Sequence, residues 1–166
     1  MGKIITISLW GRTKSDMWEA WYDEAKSFGR AIGADITHIG VTGTGYASSK
    51  IMTVKRKEKE VIDRIRRGEE ILGISLYSLP NDYKIAAFDY DLSFWITNAF
   101  IAVSMNEKYY DSDIEERFLS KMMKYIDLES GEVFSTSDDE SPYIYSATRN
   151  IDNLNTYEFI KNIGRT

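Results

Sequence analysis

The chain has 166 residues, 43% of them hydrophobic and only two of them proline, so it can bury a core and is not compositionally disordered. It carries 26 acidic and 21 basic side chains, a net charge of −5, no cysteine and a single histidine, His38. These counts exclude cysteine nucleophiles, thiolate metal sites and disulfides, and any Ser-His chemistry must run through His38.

Residues 3–10 (KIITISLW) alternate, with Ile5, Ile7 and Leu9 on one side, and are expected to form a strand. A polar turn over 11–14 leads to Asp16, the expected N-cap of a helix over 16–32 with Glu19 three residues on. Met17, Trp21, Ala25, Phe28 and Ile32 recur on one face of that helix, and Gly33 closes it. A second strand is expected over 36–41, then a loose stretch TGTGYASS, then a basic helix over 53–67 stopped at Gly68. The apolar face of that helix is thin: Val54, Val61, Ile62 and Ile65.

Strands at 71–79 and 83–90 flank the turn signal Pro80-Asn81-Asp82, and a long central strand is expected over 92–104. Ser112 with Glu115 reads as a capping box opening a helix whose core stripe is Ile114, Phe118, Met122 and Tyr125. Glu129, Ser130 and Gly131 read as a turn, followed by short strands near 133–134 and 143–146 and a terminal helix near 155–163. The expected class is α+β, a mainly antiparallel sheet with helices packed on one face, in a single domain spanning 1–166.

No apolar run approaches the ~20 residues that cross a bilayer, and the N-terminus lacks a secretory signal, so a cytoplasmic location is expected. Gly2 and Thr6 match a myristoylation pattern, but residues 4–10 read as a core strand, which a lipidated tail cannot also be.

Candidate chemistry is sparse. Asp89 and Asp91 share one face of an extended chain and could grip Mg²⁺, although aspartates at turns are usually only solvated. Thr42-Gly43-Thr44-Gly45 lacks the Gly-Lys-Ser/Thr of a phosphate loop, and Ser48 stands where a dinucleotide fingerprint needs glycine. His38, in an apolar strand with no Gly-x-Ser-x-Gly elbow to serve, reads as a hydrogen-bonded structural residue. No motif asks for a metal or cofactor.

Charge is segregated along the chain: 50–67 holds eight bases against three acids, whereas 127–140 holds six acids and no base. The basic helix could meet phosphates, but the acidic total and the lack of a nucleic-acid motif argue against direct nucleic-acid binding. Asp138, Asp139 and Glu140 lie close to Phe134, Tyr143 and Tyr145, a mixture that steers in a cationic protein and offers it apolar contact area. The same letters also describe an ordinary solvated loop.

The strand ending in Leu9-Trp10-Gly11-Arg12, followed at once by the helix at 16–32, resembles bacterial immunity proteins, the antidotes encoded beside secreted polymorphic toxins. The resemblance is to a group paired with nuclease-type toxins, whose N-terminal strand ends in an aromatic-Gly-x-Arg-like turn; it spans 3–32 and more loosely 68–105. It implies a non-enzymatic cytoplasmic protein that occludes the active site of a cognate toxin, with no catalytic residues to carry over. The partner-facing residues expected on that basis are Asp138, Asp139, Glu140, Tyr143 and Tyr145, with Trp10 and Arg12 second. The alternatives are a Mg²⁺-dependent nucleotide-processing or phosphotransfer enzyme using Asp89 and Asp91, and a subunit that pairs with a second copy through surface aromatics.

Overall fold

The computed structural model describes residues 2–43, 51–79 and 91–164. The expected strand at 83–90, the turn at 80–82, Asp89 and most of the glycine stretch lie outside the described residues. Eight strands make one antiparallel sheet: β1 (Lys3–Thr13), β2 (His38–Thr42), β3 (Met52–Thr53), β4 (Gly73–Ser78), β5 (Leu92–Thr97), β6 (Phe100–Asn106), β7 (Ile126–Ser137) and β8 (Glu158–Ile163). Their order across the sheet is β3-β2-β4-β5-β6-β1-β7-β8. The helices are α1 (Trp18–Ala31), α2 (Val54–Arg66), α3 (Ser112–Met122) and α4 (Pro142–Thr148). The class is α+β, as the patterning implies.

Strand alternation sorts the sheet into two faces. Ile5, Ile7 and Leu9 stand opposite Met105, Val103 and Ile101, and this row continues through Leu92, Phe94 and Ile96 to Ile74 and Leu76. α1, α2 and α3 pack on this face. Phe28, Phe94 and Phe118 meet with ring centres 5.7–6.4 Å apart, and Trp21 meets Phe94 edge-on at 6.5 Å. Such aromatic pairs add about 0.5–1.5 kcal/mol each beyond their buried area. Trp18 and Tyr22 join the core beside the expected Trp21, Ala25 and Phe28. α4 packs on the opposite face, so the one-face arrangement holds for the first three helices only.

Several expected boundaries move. The polar turn at 11–14 is strand: β1 runs on to Thr13, its register against β7 shifting between Trp10 and Gly11. Any Cβ at Gly11 would lie 2.1 Å from the Asp127 carbonyl oxygen, so only glycine lets the two strands close there. Asp16 caps nothing: a 3-10 turn at Ser15–Met17 precedes α1, and the helix has no side-chain N-cap. In α3 the cap is Asp111, not Ser112; its Oδ1 accepts the Ile114 N–H at 2.8 Å.

The strand expected over 92–104 is a hairpin, because Thr97 Oγ1 accepts the Ala99 N–H at 3.1 Å and turns the chain at 98–99. The turn at 129–131 is continuous β7, with Glu129 left over as a bulge opposite the Trp10/Gly11 shift. The strand at 143–146 is α4, opened by Pro142 in its first turn, and the helix at 155–163 is edge strand β8.

The basic helix α2 spends much of its charge on ion pairs with the protein's own surface acids. Arg66 grips Glu19 of α1 through two 2.8 Å bonds, Lys57 pairs with Glu60, and Arg64 and Arg67 share Glu69. Glu58 takes Lys26 and the Tyr22 hydroxyl of α1.

Candidate partner-binding surface

On the second face of the sheet, Trp10 and Phe100 stand opposite each other, Trp95 faces Ala102, and Phe134 faces Thr6. These residues form a second apolar cluster, which α4 and the segment after it cover. Tyr145 enters edge-on, its ring centre 4.8 Å from Phe134 and 6.0 Å from Trp10, and the Trp10 indole donates to the Ser146 carbonyl at 2.7 Å. Glu132 of β7 ties the cover down: Tyr145 donates to it at 2.9 Å, and the Tyr157 hydroxyl also donates to it. Burial pushes both phenols upward, and the Glu132 charge adds to the push, so both remain donors.

α4 ends at Arg149, the only non-glycine described residue with positive φ (56°). A left-handed backbone costs an ordinary side chain about 1–2 kcal/mol. Two contacts offset it: the guanidinium lies 4.2 Å from the Trp10 ring centre and donates to Ser130 Oγ at 2.9 Å.

The acidic turn beside this cover is partly committed. Asp138 accepts the Gly2 N–H at 3.1 Å. Glu140 takes the Asn155 N–H at 2.7 Å and the Thr156 hydroxyl at 2.8 Å, and Asp139 accepts the Ser137 hydroxyl. The Glu140 bonds pin the strap after α4, at residues 155–156. Between residues 138 and 152, which flank and include α4, there are four acids and one base, Arg149.

The expected partner-facing residues therefore part company. Trp10 and Tyr145 are buried beneath α4, whereas Tyr143 is 37% exposed, resting on Trp95 and Phe100. Arg12 lies at the far end of β1 from Asp138, roughly 30 Å away at ~3.3 Å per strand residue. Residues that the sequence did not single out are the exposed apolar ones: Ile144 (40%), Ile151 (48%), Phe159 (53%) and Ile160 (41%). With Tyr143 they make five of the seven large hydrophobic side chains exposed among the described residues. The signal was present as helical spacing over 142–148, where Tyr145 and Ser146 point in and Tyr143 and Ile144 point out.

Elsewhere, Asp91 lies 3.7 Å from Lys108, and among the described residues no three Asp, Glu or His side chains gather as a metal ion requires. The Thr37 hydroxyl and His38 Nδ1 lie 2.8 Å apart, and partial burial lowers the His38 pKa. No described helix is long and apolar enough to cross a membrane.

No family model matches the chain, and no curated protein sequence matches it. Among solved structures it is similar to the Pseudomonas aeruginosa T6SS protein PA0821, at 10% identity with a TM-score of 0.53. That likeness covers 81% of this chain but only 41% of the other, so this chain spans about two fifths of its length, and at such identity what is shared is the fold. A second similarity, at 13% identity and a TM-score of 0.42, covers 84% of this chain and 90% of one from a complex of the toxic C-terminal tip of CdiA from Pseudomonas aeruginosa with its immune protein.

Proposed function

We propose that the chain is a cytoplasmic immunity protein that binds a cognate toxin, a nuclease on the strength of the Trp10-Gly11-Arg12 resemblance, and blocks it by surface occlusion rather than catalysis. The observation that carries this reading is the exposed outer face of α4 and the strap behind it. Apolar Tyr143, Ile144 and Ile151 sit there in a stretch, 138–152, with four acids and one base. Exposed apolar groups ringed by charge of one sign suit a protein partner of opposite charge. Asp139, Glu140 and Tyr143 are the contact residues on this surface, while Trp10, Tyr145 and Asp138 hold its shape. Nuclease surfaces that bind phosphates are basic, and an acidic face is their complement. The fold shared with a T6SS protein agrees with a role in bacterial competition.

The test is co-expression with the open reading frames beside this gene in a bacterial host. The expected result is that one neighbour kills, that this chain restores growth, and that the two copurify one to one. A neighbouring toxin that kills regardless of this chain, or no toxic neighbour at all, refutes the reading.

A further inference from the structure

β8 (Glu158–Ile163) is the last strand of the sheet and pairs, among the described residues, only with β7. Its outer edge therefore presents backbone N–H and C=O groups that no described strand takes, and such edges invite pairing with another chain. The opposite edge is kept short, since β3 is only Met52 and Thr53. β8 runs for six residues, five of them exposed, and Phe159 and Ile160 at its middle are among the large apolar side chains left at the surface.

Residues directly opposite in a sheet share a face, and the β7–β8 register shifts between Val133 and Phe134, leaving Ile160 as a bulge. Lys161 lies opposite Val133, and Glu158 lies opposite Ser135, which itself faces Ile5. Both charges therefore stand on the side of α1, α2 and α3, whereas Phe159 lies opposite Phe134 on the second face. In a strand without the bulge, residues three apart would point to opposite faces. Here Glu158 and Lys161 share one face, with the single step Phe159–Ile160 between them. Their side chains remain 67% and 48% exposed, although Glu158 reaches Lys3 and Lys161 reaches Glu115.

We propose that β8 pairs antiparallel with β8 of a second copy of this chain, about a two-fold axis normal to the sheet at Phe159–Ile160. Turned end for end, the strand places Glu158 opposite the second copy's Lys161 and Lys161 opposite its Glu158, while Phe159 of the two copies meet beside the axis. A two-fold contact needs a patch that complements itself, and this one does so in both charge and apolar area. Cross-strand pairs of opposite charge are favourable and like pairs unfavourable, so the order of acid and base along β8 singles out a second copy over an unrelated strand. The two sheets become one. Both copies then show their α4 surfaces on the same side, because rotation about that axis leaves the faces unchanged. The pairing does not rest on the immunity reading.

Sedimentation equilibrium of the full chain at about 100 µM should give a mass near twice the 19.1 kDa of one chain, with dissociation on dilution. Glu158→Lys and Lys161→Glu should each raise the dissociation constant about tenfold or more. An equimolar mixture of the two variants should pair again, because each charge then meets its opposite. Thermal melts check that each variant is folded, and Glu158→Lys alone carries the test if losing the Glu115 contact unfolds Lys161→Glu. Opposed Cα atoms in an antiparallel pair lie about 4.5–5.5 Å apart, within reach of a disulfide. Phe159→Cys, the only thiol in a chain without cysteine, should therefore cross-link two copies on oxidation, whereas Ile144→Cys on α4 should not. A monomer at that concentration, a dimer indifferent to both charge reversals, or equal cross-linking at 144 and 159 would each overturn the proposal. A monomer whose toxin binding is weakened by Glu158→Lys would instead assign this edge to a strand of that partner.

Discussion

Glu24 of α1 shows how single charges are used in this protein. Lys124 Nζ lies 2.8 Å from its carboxylate and Lys121 Nζ 3.5 Å, and Tyr125 donates to it at 3.3 Å, so one acid ties α1 to the end of α3. The hydrogen bond from Lys124 is the main reason its pKa falls below the ordinary 4.5, burial acting the other way. A carboxylate whose folded pKa is depressed stabilises the fold above its unfolded pKa, and that contribution disappears as pH falls through the folded value. Wild type should therefore melt higher than Glu24→Gln at pH 7, and the gap should narrow progressively as pH falls below the ordinary carboxylate value of 4.5. A gap that stays constant in circular-dichroism melts below that value would show the ion pairs to be without effect. Glu115, on the other side of α3, also joins two elements. It is 6% exposed and takes Tyr110 and Lys161, each at 2.5 Å, which moors the edge strand β8 to the helix layer.

At the scale of elements, Gly131 separates what was legible from what was not. In sequence it completes a Glu-Ser-Gly turn signal; in the structure it lies flat in β7 because Leu9 and Ile163 press on it from either side. An added Cβ would sit 3.1 Å from Ile163 Cβ, Leu9 Cδ2 and the Ser8 carbonyl oxygen. Gly131→Ala should destabilise by about 1–3 kcal/mol through overpacking, a fall in Tm of roughly 2–12 °C for a chain of this size. An unchanged Tm would mean that the strands can move apart there. The first helix, the basic helix and the ends of both at Gly33 and Gly68 were readable because three- and four-residue apolar spacing and a terminal glycine are local signals. β8 was not readable. Its residues Glu158–Ile163 suit a helix as well as a strand, and pairing with β7, more than twenty residues back, decides the matter. The same holds at 143–146, where Pro142 was the overlooked helix-start signal.

For the molecule as a whole, the consequential feature is the unpartnered face built by α4 and the strap tied to Glu132. Ile144→Asp with Ile151→Asp changes two side chains that are 40% and 48% exposed, so the Tm should stay within roughly 2 °C. Binding of the cognate toxin, measured by calorimetry, should weaken by about tenfold or more if these are central contacts. Unchanged affinity with intact folding would move the interface elsewhere. Legible in the sequence alone were the α+β class, a first core strand, the amphipathic faces of α1 to α3 and the acidic bias of the C-terminal half. Each of these is written in neighbouring residues, as period, cap or charge. Tertiary packing was needed to place a fourth helix over the second face and to bury Trp10 and Tyr145 between them. Those outcomes depend on strand register and on which distant segments pack together, and residues far apart in the chain leave no local trace of that.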